Sequence, residues 1–210
     1  MITFVSAANK KFETYLLRLN QDLKKLHYNF IVYNLGGLSF GIPFDGKVSK
    51  KSYQTIPCKP EIIENALKSV EENSFVVWLD ADTIINSRID EIIDDYDIGV
   101  TVRKIKNKET EDIPINAGVL FFQKTKNTME FIDVWKQKSY EFGGDQIPLN
   151  KLCNIDISNT NQIVSRNNLK IKAFPCDIYN NFYFAKDQSH AKIVHFKSKF
   201  RKKYPHITVK

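Results

Sequence analysis

The chain has 210 residues with 42% hydrophobic and 12% aromatic content, which excludes a disordered polypeptide and suits one domain with a full core. Its formal net charge of +7 invites a nucleic-acid reading, but six of the seven excess charges belong to an acid-free tail, Lys197, Lys199, Arg201, Lys202, Lys203 and Lys210. The body is nearly neutral, no aromatic RNA-binding motif or zinc finger accompanies the tail, and nucleic acid is not an expected partner.

Residues 2–8 read as a first strand, and Leu16, Leu19, Leu23 and Leu26 recur at helical spacing, predicting a helix over 12–26. Residues 30–33 form a second strand. The stretch 36–60, rich in Gly, Pro, Ser and Lys, is a long loop of the kind that serves a site, with a short strand inside it. Pro60 opens a helix whose buried stripe is Ile62, Ile63, Ala66, Leu67 and Val70, ending near Asn73. Further strands are expected over 98–102, 115–122 and 193–196, a charged loop over 104–112, and a helix over 128–140. Strand and helix alternate through the first hundred residues, the pattern of a doubly wound α/β sheet.

Before Asn73's helix gives way to 98–102, residues 75–85 read FVVWLDADTII. A buried strand there ends abruptly in Asp80 and Asp82. Strands of α/β sheets are apolar on both faces, and ligands bind beyond their carboxyl ends. Two hard oxygen donors at such an edge suit a divalent cation, Mn²⁺ or Mg²⁺, and through it a polyphosphate. The competing reading is that the two acids only cap the turn that follows.

The first residues, MITFVSAAN, read as a strand rather than a signal peptide, and no apolar run reaches the length of a membrane span. Cys58, Cys153 and Cys176 form neither a C-x-x-C pair nor a disulfide framework. A cytoplasmic, reducing setting is the expectation. The basic tail is a solvated surface segment or a cover for a phosphate-bearing ligand.

Five segments in order, AANKKF, LDAD, INAGVLFF, GGDQIPLN and VHFKSKFRKK, resemble the GT-A nucleotide-sugar glycosyltransferases, most closely their retaining, glycogenin-like and galactosyltransferase-like (family 8-like) branch. The resemblance covers nearly the whole chain. It implies a GT-A fold, a single doubly wound mixed sheet flanked by helices, with 1–210 as one catalytic domain or one cut from a longer polypeptide, such as a large-DNA-virus glycosyltransferase. It further implies transfer of a sugar from a nucleotide diphosphate donor, a UDP-sugar in most relatives, to a hydroxyl of a glycan or glycoprotein acceptor. Retention of configuration is likewise implied by the resemblance alone.

By the same resemblance Ala7, Asn9 and Phe12 contact the nucleobase and ribose, although relatives usually carry Asp and Tyr where this chain has Asn9 and Phe12. A ring face stacks on a base in either case. Asp80 and Asp82 correspond to the family's D-x-D, with His195 completing the metal site. Asn116, Ala117 and Gly118 correspond to the segment facing the donor sugar. Asp145 and Gln146 correspond to the pair beside the anomeric carbon; the alternative for Asp145 is a helix cap. Lys59 is a further candidate for the diphosphate or sugar, and Lys197 and Arg201 for the diphosphate. The family's Gly and Lys after the histidine are replaced here by Ser198 and Arg201, of which Arg201 still grips a phosphate bidentately.

Two rivals share parts of this pattern. Phosphatases of the haloacid dehalogenase type also end a strand in D-x-D, but want Thr or Val where this chain has Ile84, and near the chain start. A non-catalytic module that binds sugar nucleotides or glycans is the other. Slow hydrolysis of a nucleotide sugar separates a transferase from both.

Overall fold

The apolar runs become the interior of one mixed sheet in the computed structural model, which describes residues 1–46, 59–103, 113–182 and 189–197. Strand β1 (Ile2–Ala8) lies between β2 (Asn29–Asn34) and β4 (Phe75–Leu79), parallel to both, and β2 pairs in parallel with the short β3 (Ile42–Pro43). Beyond β4 the direction reverses. Strand β7 (Ile115–Gln123) runs antiparallel to β4 and to β6 (Ile98–Val102). Strand β9 (Leu169–Pro175) then adds parallel to β6, and β8 (Ile163–Arg166) forms the edge, giving the order β3-β2-β1-β4-β7-β6-β9-β8.

Alternate side chains of β4 enter opposite cores, as the strand period requires. Val76 and Trp78 join Ile62, Ile63 and Ala66 of helix α2 (Lys59–Ser69) and Phe131, Ile132 and Trp135 of α3 (Lys126–Phe142). Phe75, Val77 and Leu79 meet Leu19 and Leu23 of α1 (Glu13–Lys25) on the other face. Burial on both faces explains why β4 and β6 read as continuous apolar runs. Helix α1 follows a single 3₁₀ turn, Lys10–Phe12. Helix α3 is capped by Thr125, whose side chain accepts from the Thr128 amide, and stops at Gly143, whose φ of 66° is the left-handed cap that glycine adopts without strain.

Three elements depart from the sequence expectations. Strand β4 ends at Leu79, just before the two acids as expected, but the apolar residues after them form a further strand, β5 (Thr83–Ile85), in a separate three-stranded sheet with β11 (Ile193–His195) and β10 (Asn181–Phe182). Helix α2 ends at Ser69, before the expected Asn73, which has a positive φ of 61°. Residues 163–175 form the β8–β9 hairpin through Asn167 and Asn168, both at positive φ, the geometry of a two-residue hairpin turn. Helices α4 (Gln146–Cys153) and α5 (Cys176–Tyr179) complete the described chain. The loop expected over 104–112 and residues 47–58 of the long loop, Cys58 among them, lie outside the described residues. Cys153 and Cys176 are buried and free, and among the described residues no helix is long and apolar enough to cross a membrane.

Candidate active site

Strand β4 delivers Asp80 to the carboxyl edge of the parallel half of the sheet. The Asp80 amide donates to the Gly118 carbonyl at 2.8 Å, and both the amide and the hydroxyl of Thr83 donate to the Asp80 carbonyl, at 3.2 and 2.8 Å. The backbone therefore turns sharply through Asp80, Ala81 and Asp82 and leaves in β5. Antiparallel pairing then sets His195 opposite Thr83, and the Phe196 amide donates to the Asp82 carbonyl at 2.8 Å. This small sheet carries a residue from the far end of the chain onto the two acids. His195 Nε2 lies 3.2 Å from Asp82 Oδ1 and 3.6 Å from Asp80 Oδ2. One ligand atom from each of the three residues falls within 4.8 Å of the others. Asp82 and His195 are buried, whereas the Asp80 side chain is 32% exposed.

The imidazole packs against β7 at Gly118. A Cβ there would stand 2.3 Å from His195 Cε1 and 2.5 Å from Nδ1, so no other residue leaves the ring its place. Gly118 belongs to a bulge: opposite β6, the register passes from Val100 against Leu120 to Thr101 against Asn116. Bulges of this kind re-aim a strand beside a site. Within this one, Asn116 Oδ1 accepts from the Gly118 amide at 3.0 Å, and the Ala117 amide donates to Gln146 Oε1 at 3.4 Å.

Lys59, at the start of α2, is the buried cation of the site. Its Nζ sits 2.8 Å from Asp145 Oδ2, 3.1 Å from Asp80 Oδ1 and 2.8 Å from the Ala117 carbonyl, and 5.1 Å over the Trp78 ring. Burial opposes its charge, but attraction to Asp145 and then Asp80 prevails and holds the ammonium above its ordinary pKa. Trp78 Nε1 also donates to Asp80 Oδ1 at 2.9 Å. Asp145 makes no side-chain cap for α4, contrary to its alternative reading, and its carboxylate faces Lys59 instead. Its carbonyl accepts from Trp135 Nε1 at 2.9 Å. Asn150 of α4 brackets Ile115, accepting from its amide at 2.8 Å and donating to its carbonyl at 3.1 Å, which docks α4 onto β7.

Ala7, Asn9 and Phe12 line the same sheet edge at the end of β1. Phe12 packs beside the cluster of Ala8, Leu16, Val32, Leu38 and Ala81, the last being the middle residue of the acid turn, and its ring lies 5.7 Å from that of Tyr15. Asn9 caps the 3₁₀ turn, its Oδ1 accepting from the Lys11 amide at 3.1 Å. Partly buried Lys197 holds its Nζ 4.8 Å over the Phe182 ring; burial pushes its ammonium down to about 8, with Asp80 pulling the other way. Arg201 and Ser198 lie outside the described residues. The fold thus brings together Lys59, Asp80, Asp82, Ala117, Gly118, Asp145, Gln146 and His195. Sequence reasoning missed Trp78, Trp135, Thr101 and Asn180, of which only Trp78, next to the acid motif, carries a local signal.

Comparison with known proteins bears on the family and the fold. A family model described as nucleotide-diphospho-sugar transferase matches residues 64–204. No curated protein sequence matches the chain. Among solved structures, a glycosyltransferase involved in glycosylation of the major capsid of PBCV-1 aligns over 98% of both chains with a TM-score of 0.68 at 15% identity. The galactosyltransferase LgtC, in complex with donor and acceptor sugar analogues, aligns over 94% of this chain and 87% of its own, with a TM-score of 0.53 at 14% identity. The glycosyltransferase GlyE of Streptococcus pneumoniae TIGR4 aligns over 94% and 54%, with a TM-score of 0.58 at 15% identity. At such identities structural likeness speaks for the fold, while the family match covers two thirds of the sequence. The chain accordingly belongs to the nucleotide-diphospho-sugar transferase family, as a glycosyltransferase with the GT-A fold.

Proposed function

We propose that this enzyme transfers a sugar, with retention, from a UDP-sugar to a hydroxyl of a glycan or glycoprotein in a reaction that depends on Mn²⁺ or Mg²⁺. The carrying observation is the convergence of Asp80, Asp82 and His195 at the carboxyl edge of β4. Two carboxylates and an imidazole fit a divalent ion of this class, the nitrogen favouring Mn²⁺. Asp82 and His195 would hold the ion together with Asp80, whose Oδ1 faces Lys59 and whose Oδ2 faces His195. Bound there, the ion would neutralise charge gathering on the departing diphosphate.

The chain's own residues do the rest. Phe12 offers a ring face to the uracil, with Ala7 and Asn9 beside the ribose. Lys197 and Arg201 grip the diphosphate, whose charge grows as the glycosidic bond breaks, so they stabilise the transition state more than the ground state. Asp145 accepts hydrogen bonds from sugar hydroxyls, held in place through its carbonyl by Trp135. Gln146 leans on the developing positive charge of the anomeric carbon, and Asn116, Ala117 and Gly118 line the sugar. No side chain acts as a strong base; the departing phosphate takes the acceptor's proton on the face it leaves, unlike glycosidases, which flank the bond with two carboxyl groups. A protein-linked acceptor is supported by the capsid role of the PBCV-1 relative, and a free glycan by the acceptor analogue in LgtC.

Thermal unfolding with a panel of nucleotide sugars, with and without Mn²⁺, tests the reading, because a ligand that binds only the folded chain raises its melting temperature. A UDP-sugar should protect only with the ion present, and Asp82→Ala should abolish that protection. Protection that survives a chelator would overturn metal dependence.

A further inference from the structure

We propose that Asn180 is a positioning residue that holds His195 with its hydrogen on Nδ1, so that Nε2 presents a lone pair to the divalent cation shared with Asp80 and Asp82. The inference rests on the metal site proposed above.

Four polar residues, Thr101, Asn116, Asn180 and His195, are buried together, each at most 2% exposed. The Thr101 hydroxyl faces two backbone carbonyls, Asn116 at 2.9 Å and Val119 at 3.3 Å. The carbonyls only accept, and Cys176 is a further hydrogen-bond partner of this hydroxyl; with its single proton given to these groups, the oxygen only accepts from Asn180. Asn180 Nδ2 lies 2.8 Å from that oxygen and 3.4 Å from the Asn116 carbonyl. Between two acceptors only the amide nitrogen fits, which fixes the orientation of the side chain. Asn180 Oδ1 is thereby turned to His195 Nδ1 at 3.0 Å. An amide oxygen has no proton to give, so Nδ1 must donate. Nε2 is then the nitrogen free to bind, and it is the one that faces Asp82 and Asp80.

The backbone on both sides is set independently of the ring. The Asn180 amide donates to the Cys176 carbonyl at 3.0 Å at the end of α5, and Asn181 pairs with Val194 in the small sheet. The ring also rests against β7 at Gly118, where an added Cβ would stand 2.3 Å from Cε1 and 2.5 Å from Nδ1. Partners of this type fix the tautomer of a ligating histidine, and their loss typically lowers metal affinity about ten- to hundredfold.

Calorimetric titration with Mn²⁺ and ¹⁵N NMR of histidine-labelled chain loaded with diamagnetic Mg²⁺ test the proposal together. In the wild type, His195 should show a hydrogen-bearing Nδ1 and a hydrogen-free Nε2. Asn180→Ala should weaken Mn²⁺ binding about tenfold or more. Thr101→Val, of nearly equal volume, frees the amide to rotate and should weaken binding in the same direction, covering the case in which Asn180→Ala does not fold. Asp82→Asn examines the ion site itself. If Asp82→Asn loses Mn²⁺ but Asn180→Ala and Thr101→Val keep wild-type affinity, or if the hydrogen resides on Nε2, the role of Asn180 is overturned and the metal site stands. If the wild type binds no Mn²⁺, or Asp82→Asn binds it equally well, the metal site is overturned and this inference with it.

Discussion

Replacing Gly118 by Ala adds one methyl group at the point where the sheet and the metal site touch. That carbon would stand 2.3 Å from His195 Cε1, more than 1 Å inside the roughly 3.5–4.0 Å at which two carbons rest in contact. β7 is hydrogen-bonded to β4 and β6 on either side, so the strand resists movement and the ring must give way by about 1 Å. Metal–ligand distances tolerate only about 0.2 Å. The displaced imidazole also leaves Asn180, so Mn²⁺ affinity should fall at least about ten- to hundredfold, while overpacking costs about 1–3 kcal/mol of stability. Gly99→Ala supplies the control. There the added carbon meets Phe174 at 2.7 Å and Phe121 at 2.9 Å, an overpacking in the aromatic core with no metal residue involved. Calorimetric Mn²⁺ titration and urea unfolding of both variants should show similar losses of stability but a loss of affinity in Gly118→Ala alone. Equal Mn²⁺ affinity in Gly118→Ala and wild type would refute the reasoning, as would an equal loss in Gly99→Ala.

Asp145→Asn should cut sugar transfer and the slow hydrolysis of the donor by roughly a hundredfold or more while leaving UDP affinity unchanged; undiminished turnover would mean that the carboxylate serves only Lys59. Lys59→Met keeps the aliphatic stem but leaves the buried Asp145 carboxylate uncompensated, so urea unfolding should show about 3–5 kcal/mol lost, and a change below about 1 kcal/mol would mean that the ion pair adds nothing. Glu64 ties α2 to α3: burial would raise its carboxyl pKa, but Lys136 at 2.5 Å and Lys68 hold it below the ordinary range. A depressed folded pKa contributes stability that is present above the ordinary carboxylate range and lost as the pH falls through the depressed value. Glu64→Gln should therefore be less stable than wild type at neutral pH and match it in acid; a constant gap across the titration would contradict the assignment.

Much of the fold could be read from local pattern. Strands β1, β4, β6 and β7 are apolar because helices cover both faces of the sheet, and a doubly buried strand leaves that mark on its own residues. The acids of LDAD stand out for the same reason, as charge at the end of an apolar run. The division of 75–85 between two sheets was hidden, because Thr83, Ile84 and Ile85 are as strand-like as the residues before them and only the turn at Asp80 separates them. The β8–β9 hairpin has a legible turn in Asn167 and Asn168, yet its exposed edge strand carries Ser165 and Arg166 and lacks a clear apolar run. Asn9, matched to the nucleotide segment by resemblance, also caps a turn in the fold, a use of asparagine that depends on where the backbone amides point.

What the sequence by itself determined is the alternation of the main strands and helices of the first hundred residues, the placing of two carboxylates at a strand end, and a set of segments shared with a transferase family. Each depends on neighbours a few residues apart, whose burial and spacing are written locally. Only the tertiary structure decided that β7 runs against β4, that β5 and β11 pair so as to set His195 on the acids, and that Lys59 lies between Asp80 and Asp145. It alone aligned Thr101, Asn116, Asn180 and His195 into one chain of donors and acceptors. Hydrogen bonds and ligand sets act over about 3 Å, and residues as far apart in sequence as Asp82 and Phe196 come within that range only once the sheet has closed around them.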